Sequence, residues 1–505
     1  MGAVALGAVA PFASANETPP LSAIEWLSDS IAITEDDAPA SNDGPSATLP
    51  PAISVAPLDA PIPDNVGLIS AGSVGLDLGI WGRSASSDLA DLIRSLPDAQ
   101  SAVPSLRAFV HDLMIARLDP PIDAIDDDGL FLARLDALLD LGQLGSAHDM
   151  IAAAGVPEPR RFRRAFDIAL LTGTETEICK VVAQTPDISP TYPARIFCLA
   201  RGGQWDVAAL TLGNAEALGI LSDDEHDLLL HFLDPELFEG EPIPTPPQFP
   251  SPLTFRLYEA VGERMSTDPL PVAFAAADLT DTVGWQTRLR AVERLAAADA
   301  VSFETLLSVY SERSPAASGA IWQRVKTFQS LLSAIESADD QKFEQHFPEA
   351  WALASQAHFQ ASFARWIAPK LSGRELARPA AHAAFEIALT AGRPNIAKQF
   401  TTDSTEDRFL VAIATGEGTT PPPNNVLGRG IVRGLSAIGP GRRYQTMIDD
   451  GRAGEALLDA LAALMEGATG NPDRTSKALA LLRELGLENL ARQVSVDLLL
   501  HDGAA

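Results

Sequence analysis

Apolar positions along most of this chain recur at three- and four-residue intervals, the spacing of one face of an α-helix. The pattern is clearest from Leu130 to Gly219. Three segments there, LARLDALLDLGQLGSAHDMIAAAG, FDIALLTGTETEICKVVAQTP and ARIFCLARGGQWDVAALTLGNAEALG, each read as apolar helix, glycine and short second helix. Gly142, Gly173 and Gly203 close the first helices, at intervals of 31 and 30 residues. Five residues after each glycine stands a small or apolar residue: Ala147, Ile178 and Ala208. Glycine supplies the left-handed residue that ends a helix at low steric cost. The next five residues turn the chain and start a second helix, whose small residue faces back onto the first. The device returns at Gly392 with Ala397, Gly451 with Ala456 and Gly486 with Ala491. Period-two runs of β-branched residues are nearly missing, so the fold class expected is all-α.

A helix pair of about 30 residues cannot bury its apolar face alone, but stacked neighbours can. On these glycines and spacings the chain resembles the tetratricopeptide-like α-solenoids, best over residues 130–219 and more faintly over 380–500. Its units are shorter than the about 34 residues of that family, and the family's Trp, Leu-Gly, Tyr and Pro consensus is absent. The resemblance implies an irregular α-solenoid of antiparallel helix pairs with a concave face for partners, and it carries over no binding residue. The chain as a whole also resembles a group of uncharacterised exported bacterial helical proteins, a likeness that implies no chemistry.

Breaks in the pattern divide the chain. Residues 1–15, MGAVALGAVAPFASA, are small and apolar and end in an Ala-Ser-Ala cleavage pattern, but lack a positive start. They read as a truncated signal peptide or as an Ala-rich tail. Residues 16–85 carry ten Asp and Glu, one basic residue (Arg83) and many prolines, which predicts a disordered tail. Two islands interrupt it. In LSAIEWLSDSIAI, Leu21, Ile24, Leu27 and Ile31 share a helical face beside Trp26, the form of a docking peptide. The alternative is that this turn folds back on its own chain. In VGLDLGIW, Val74, Leu76, Leu78 and Ile80 alternate and predict an extended run against the first helix. Three helical regions follow, at 86–240, 250–418 and 424–505. They are separated by the proline-rich PELFEGEPIPTPPQFPSP and by GEGTTPPPNN.

Composition narrows the function classes. A formal net charge of −30 repels phosphate backbones and anionic membrane surfaces, so neither nucleic acid nor membrane is expected as a partner. No stretch reaches the about 18 apolar residues of a membrane span. Searches for chemistry fail one by one. His226 and His231 are five apart, off the spacing of a zinc-binding pair. AIDDDG lacks the first and the last, bidentate ligand of a calcium loop. GRGIVRG follows no strand, and no nucleophile elbow occurs. No catalytic residue, cofactor or metal is therefore assigned. The aromatic positions Trp351, Phe359, Phe363 and Trp366 read as core.

Two features remain. PRRFRRAF sets Arg160, Arg161, Arg163 and Arg164 at one helix start, where cations oppose the helix dipole. They must pair with acids or meet an anionic partner. A weaker basic patch comprises Arg429, Arg433, Arg442 and Arg443. The only two cysteines, Cys179 and Cys198, lie about two turns either side of the turn near Pro186–Pro190. Adjacent antiparallel helices would bring them to similar height, as a bridge or as two buried free thiols.

These readings predict a non-enzymatic, periplasmic or secreted helical-repeat scaffold that binds protein partners. The alternatives are a helical module of a cell-wall or polysaccharide-processing enzyme, and a cytoplasmic repeat protein. If residues 21–31 are a docking peptide, Trp26→Ala with Leu27→Ala should abolish partner capture and leave the melting temperature unchanged. A large fall in melting temperature would identify the fold-back arrangement instead.

Overall fold

The turns decide where every helix of this chain ends. The computed structural model describes residues 63–96, 103–124, 128–155, 158–315, 318–417, 425–467 and 470–502. Within them Gly142, Gly173, Gly203, Gly392, Gly451 and Gly486 all take positive φ, between 65° and 82°. After each, the next amide reaches back to the carbonyl five residues earlier, as from Gln143 to Leu138 at 2.8 Å and from Leu487 to Leu482 at 2.8 Å. Five of the six residues placed five positions on (Ala147, Ala208, Ala397, Ala456 and Ala491) are fully buried, and Ile178 is half-buried. The same turn also occurs without glycine, at Asp299, Ala338 and His358, with φ of 58°, 51° and 62°. Their backbone bonds match, from Ala300 to Leu295, Asp339 to Ala334 and Phe359 to Ala354.

The described residues form twenty-four α-helices, a few 3₁₀ turns and one two-residue parallel bridge, Ile69–Ser70 against Ala116–Arg117. Consecutive helices pack on one another, among them Gly129–Asp140 with Leu144–Ala153, Tyr192–Arg201 with Trp205–Ala217, and Ala320–Glu336 with Asp340–Gln356. Contacts between sequence-distant helices are superimposed on this order. Ser86–Arg94 packs on Ala453–Met465, and Pro104–Ile115 on Glu488–Asp502. One apolar core consequently runs from Val66 to Leu498. A linear stack would confine each unit to its neighbours; here the first and last helices share a core. Phe303, Phe328, Phe359 and Phe363 meet in it, with Trp366 and Trp351 at its edge; Phe359, Phe363 and the two tryptophans already read as core in the sequence.

Several expectations are corrected. Residues 63–85, taken with the acidic tail, are folded. VGLDLGIW is not extended: Ala71–Val74 is a helical turn, and Trp81 is fully buried. Its ring lies where Gly454 has no side chain; a Cβ there would stand 2.4 Å from Trp81 Cε3. The Arg83 amide closes the seam by donating to Gly451 O at 2.8 Å. Helix Ser86–Arg94 takes its cap from a distant acid. Its first amide and the Ser86 hydroxyl both donate to Asp123 Oδ1, at 3.0 Å. The proline-rich stretch is not a boundary between cores, because Leu253, Leu257 and Tyr258 beyond it pack with Phe162–Leu229 before it. In GRGIVRG, Gly430 and Gly434 form a contact face: the helix Pro472–Glu484 approaches so closely that Cβ atoms would meet Pro472 O at 2.9 Å and Ser476 O at 2.5 Å.

Long side chains close helix ends across units. Arg134, fully buried, donates to Met114 O at 2.8 Å in the last turn of Pro104–Ile115, to Ala116 O at 2.7 Å just beyond it, and to Asp64 O at 3.2 Å. Burial lowers its pKa to about 10, which leaves it charged at neutral pH. Arg256 donates to Leu170 O, Arg483 to Ala437 O and Gln493 to Leu389 O in the same manner. Arg134→Met would strand three buried carbonyls and should cost on the order of 3–5 kcal/mol. Denaturant unfolding of the full chain measures this, and a loss below about 1 kcal/mol would remove Arg134 from its central role.

Candidate docking site

Residues 158–262 form a module with its own apolar cluster, from Phe162 to Tyr258. Its first helix, Pro159–Thr172, is capped by Glu158, whose Oε2 accepts from the amides of Arg160 and Arg161. That carboxylate offsets the cations of the first turn. The four arginines then separate. Arg160 is exposed. Arg161 pairs with Asp128 at 3.0 Å and donates to Ala154 O. Arg163 is buried. Arg164 is buried and grips Asp136 with two bonds, at 2.5 and 2.7 Å. Arg161 and Arg164 thus tie the module to the preceding helices through Asp128 and Asp136. In the second basic patch, Arg443 pairs with Asp459 at 2.8 Å and Arg433 with Asp473 at 3.7 Å. Ile24, Trp26 and Leu27 lie outside the described residues.

The structure joins Cys179 to Cys198 as a disulfide, with Cα atoms 4.9 Å apart. It ties the helices Glu175–Gln184 and Tyr192–Arg201 at one height, the bridged arrangement of the two that the sequence leaves open.

Beyond this hairpin the surface changes character. Between Arg201 and Arg256 the chain has ten Asp and Glu and no Lys or Arg. Apart from contacts of His226 with Glu216 and Asp227, none of these ten carboxylates pairs with a basic side chain among the described residues. The same stretch holds seven of the twelve exposed large apolar side chains among the described residues. Helix Trp205–Ala217 buries Ala208, Leu212 and Ala215 and turns Val207 and Leu210 to solvent, with Leu218 just beyond its end. Leu210 is 66% exposed and Leu218 68%.

A groove of about 440 Å³ lies in the same module. The helix Asp223–Leu233 forms one wall and presents Leu228 and Leu229. A reciprocal pair of bonds between Ser222 and Glu225 fixes its start. The proline-rich segment and helix Pro252–Ala260 complete the groove with Phe249, Leu253 and Leu257. The Tyr258 hydroxyl donates to Pro244 O at 3.0 Å and holds the proline-rich segment in place. Burial, and then the Asp224 carboxylate, push its pKa up. The sequence signal of this region is the absence of Lys and Arg over more than fifty residues.

A second cavity, about 470 Å³, lies where the turns at Gly142 and Asp299 meet helix Gln360–Leu371. In it Asp299 pairs with Arg107 and Arg365, and Gln143 donates to Asp299 O at 2.8 Å. It is a structural junction. Among the described residues, no three His, Cys, Asp or Glu side chains converge as a metal site would require, and no helix is long and apolar enough to cross a membrane.

The disulfide closes a loop of 19 residues, for which chain entropy gives about 3 kcal/mol. Cys179→Ser with Cys198→Ser should speed amide exchange across 175–201 and leave Pro104–Ile115 protected. Equal loosening of both regions would mean that the module does not open by itself. The chain matches no protein-family model, no curated protein and no solved structure.

Proposed function

We propose that this protein is an exported, non-enzymatic scaffold of stacked helix pairs, and that its docking surface is the module of residues 158–262. The observation that carries the reading is the concentration of uncovered apolar side chains on one stretch, with seven between Trp205 and Phe249. Scattered apolar residues are ordinary on a protein surface, whereas a cluster on one element marks a contact. The helix pairs supply a rigid frame, and the buried Arg164–Asp136 pair holds the module to it. The Cys179–Cys198 bridge supports export, since such bonds persist in oxidising compartments.

Site-specific photo-crosslinking in the native compartment tests both parts. A crosslinker at position 210 should yield discrete protein adducts that one at position 393 does not. Alkylation in the same compartment should leave Cys179 and Cys198 unmodified. An absence of adducts at 210 would remove the docking surface, and two alkylated cysteines would remove export.

A further inference from the structure

We infer that the occupant of this surface is a basic amphipathic segment of another protein, with an apolar face flanked by Lys or Arg. The inference rests on the scaffold reading and adds the chemistry of the partner. Two properties of residues 202–255 carry it together. The apolar side chains Val207, Leu210, Leu218 and Phe249 lie open to solvent. The charged side chains of the same stretch are of one sign, with ten carboxylates and no Lys or Arg. Elsewhere this protein answers its acids with arginine, as in Arg164–Asp136, Arg324–Glu293 and Arg288–Glu312. Across residues 202–255 the chain itself supplies no such counter-charge.

Charge decides among the occupants. The chain's own residues 16–62 contain eight Asp and Glu and no Lys or Arg, so their approach is repelled. A second copy of this chain would set ten carboxylates against ten. An anionic lipid or nucleic acid is disfavoured by the same sign. A cationic segment alone gains on both counts, burying the apolar residues and neutralising the carboxylates. The length also fits: Val207 to Leu218 spans eleven residues, about 16 Å along a helix, or three turns of a partner helix.

The test uses the purified full-length chain and two fluorescent 18-residue helical peptides with identical leucine faces, one with lysine and one with glutamate on the polar face. The lysine peptide should bind, and raising salt from 50 to 500 mM should weaken it at least 10-fold. The glutamate peptide should bind at least 100-fold more weakly. Val207→Ser with Leu210→Ser should lower affinity for the lysine peptide at least 10-fold. Asp403→Lys with Glu406→Lys, outside the stretch, should change it less than 2-fold. Circular dichroism of each variant confirms the fold. Equal binding of both peptides, or equal effects of both double variants, would overturn the inference as non-specific attraction. Adducts at position 210 with a partner whose crosslinked segment is acidic would overturn the inference and leave the scaffold standing; no adducts would remove both.

Discussion

Every helix end leaves carbonyls without partners in its own helix, and a chain built of two dozen short helices meets that constraint at every turn. Left-handed turns satisfy part of it, through the amide that reaches back five residues. Donors from other helices satisfy more. Arg134 does this where three segments meet: it ends Pro104–Ile115, belongs to Gly129–Asp140, and holds the backbone of Asp64. Asp64 in turn accepts from the Phe131 amide at 2.8 Å. A guanidinium offers five donors in a rigid, weakly hydrated fork, which suits one buried side chain to several carbonyls better than a strongly hydrated ammonium. Of the 37 basic residues only six are lysine, in keeping with that demand.

What was legible in the sequence was local. Glycine before a five-residue turn located six helix ends, because left-handed backbone has a residue type that favours it. Asp299, Ala338 and His358 adopt the same backbone with no such mark, at a cost of about 1 kcal/mol each that packing must offset. Buried Phe343 and Phe363, five residues beyond the last two, supply such packing. Trp81 was hidden for a different reason. It follows a long acidic and proline-rich stretch, which is the composition of a disordered tail, and its pocket is completed by Gly454, far away in sequence and near in space. The arginines of PRRFRRAF show the same limit. Their charge was visible, but the acids that absorb it, Asp128 and Asp136, lie a whole helix pair earlier.

The division of labour between charges follows from these pairings. Over most of the molecule arginine links one helix pair to another, so acids are consumed in holding the frame. From Gly202 to Phe255 no such link is drawn, and the carboxylates face water beside apolar side chains. The disulfide stands next to this stretch. A surface that keeps apolar groups exposed gains little stability from them, and a covalent tie in the neighbouring hairpin compensates by limiting how far the module can open.

The seam between Trp81 and Gly454, with Ser105 N donating to Asp497 Oδ2 at 3.0 Å, has a consequence for how the protein is made. Residues near position 100 cannot reach their final environment until those near position 500 have left the ribosome. At about 5–20 residues per second, the first helices wait tens of seconds without their cover. An order of synthesis that postpones closure keeps the nascent chain open, the condition in which a polypeptide can still be threaded through a narrow channel. Closure then comes last and joins Trp81 and Ser105 to Gly454 and Asp497 in one step.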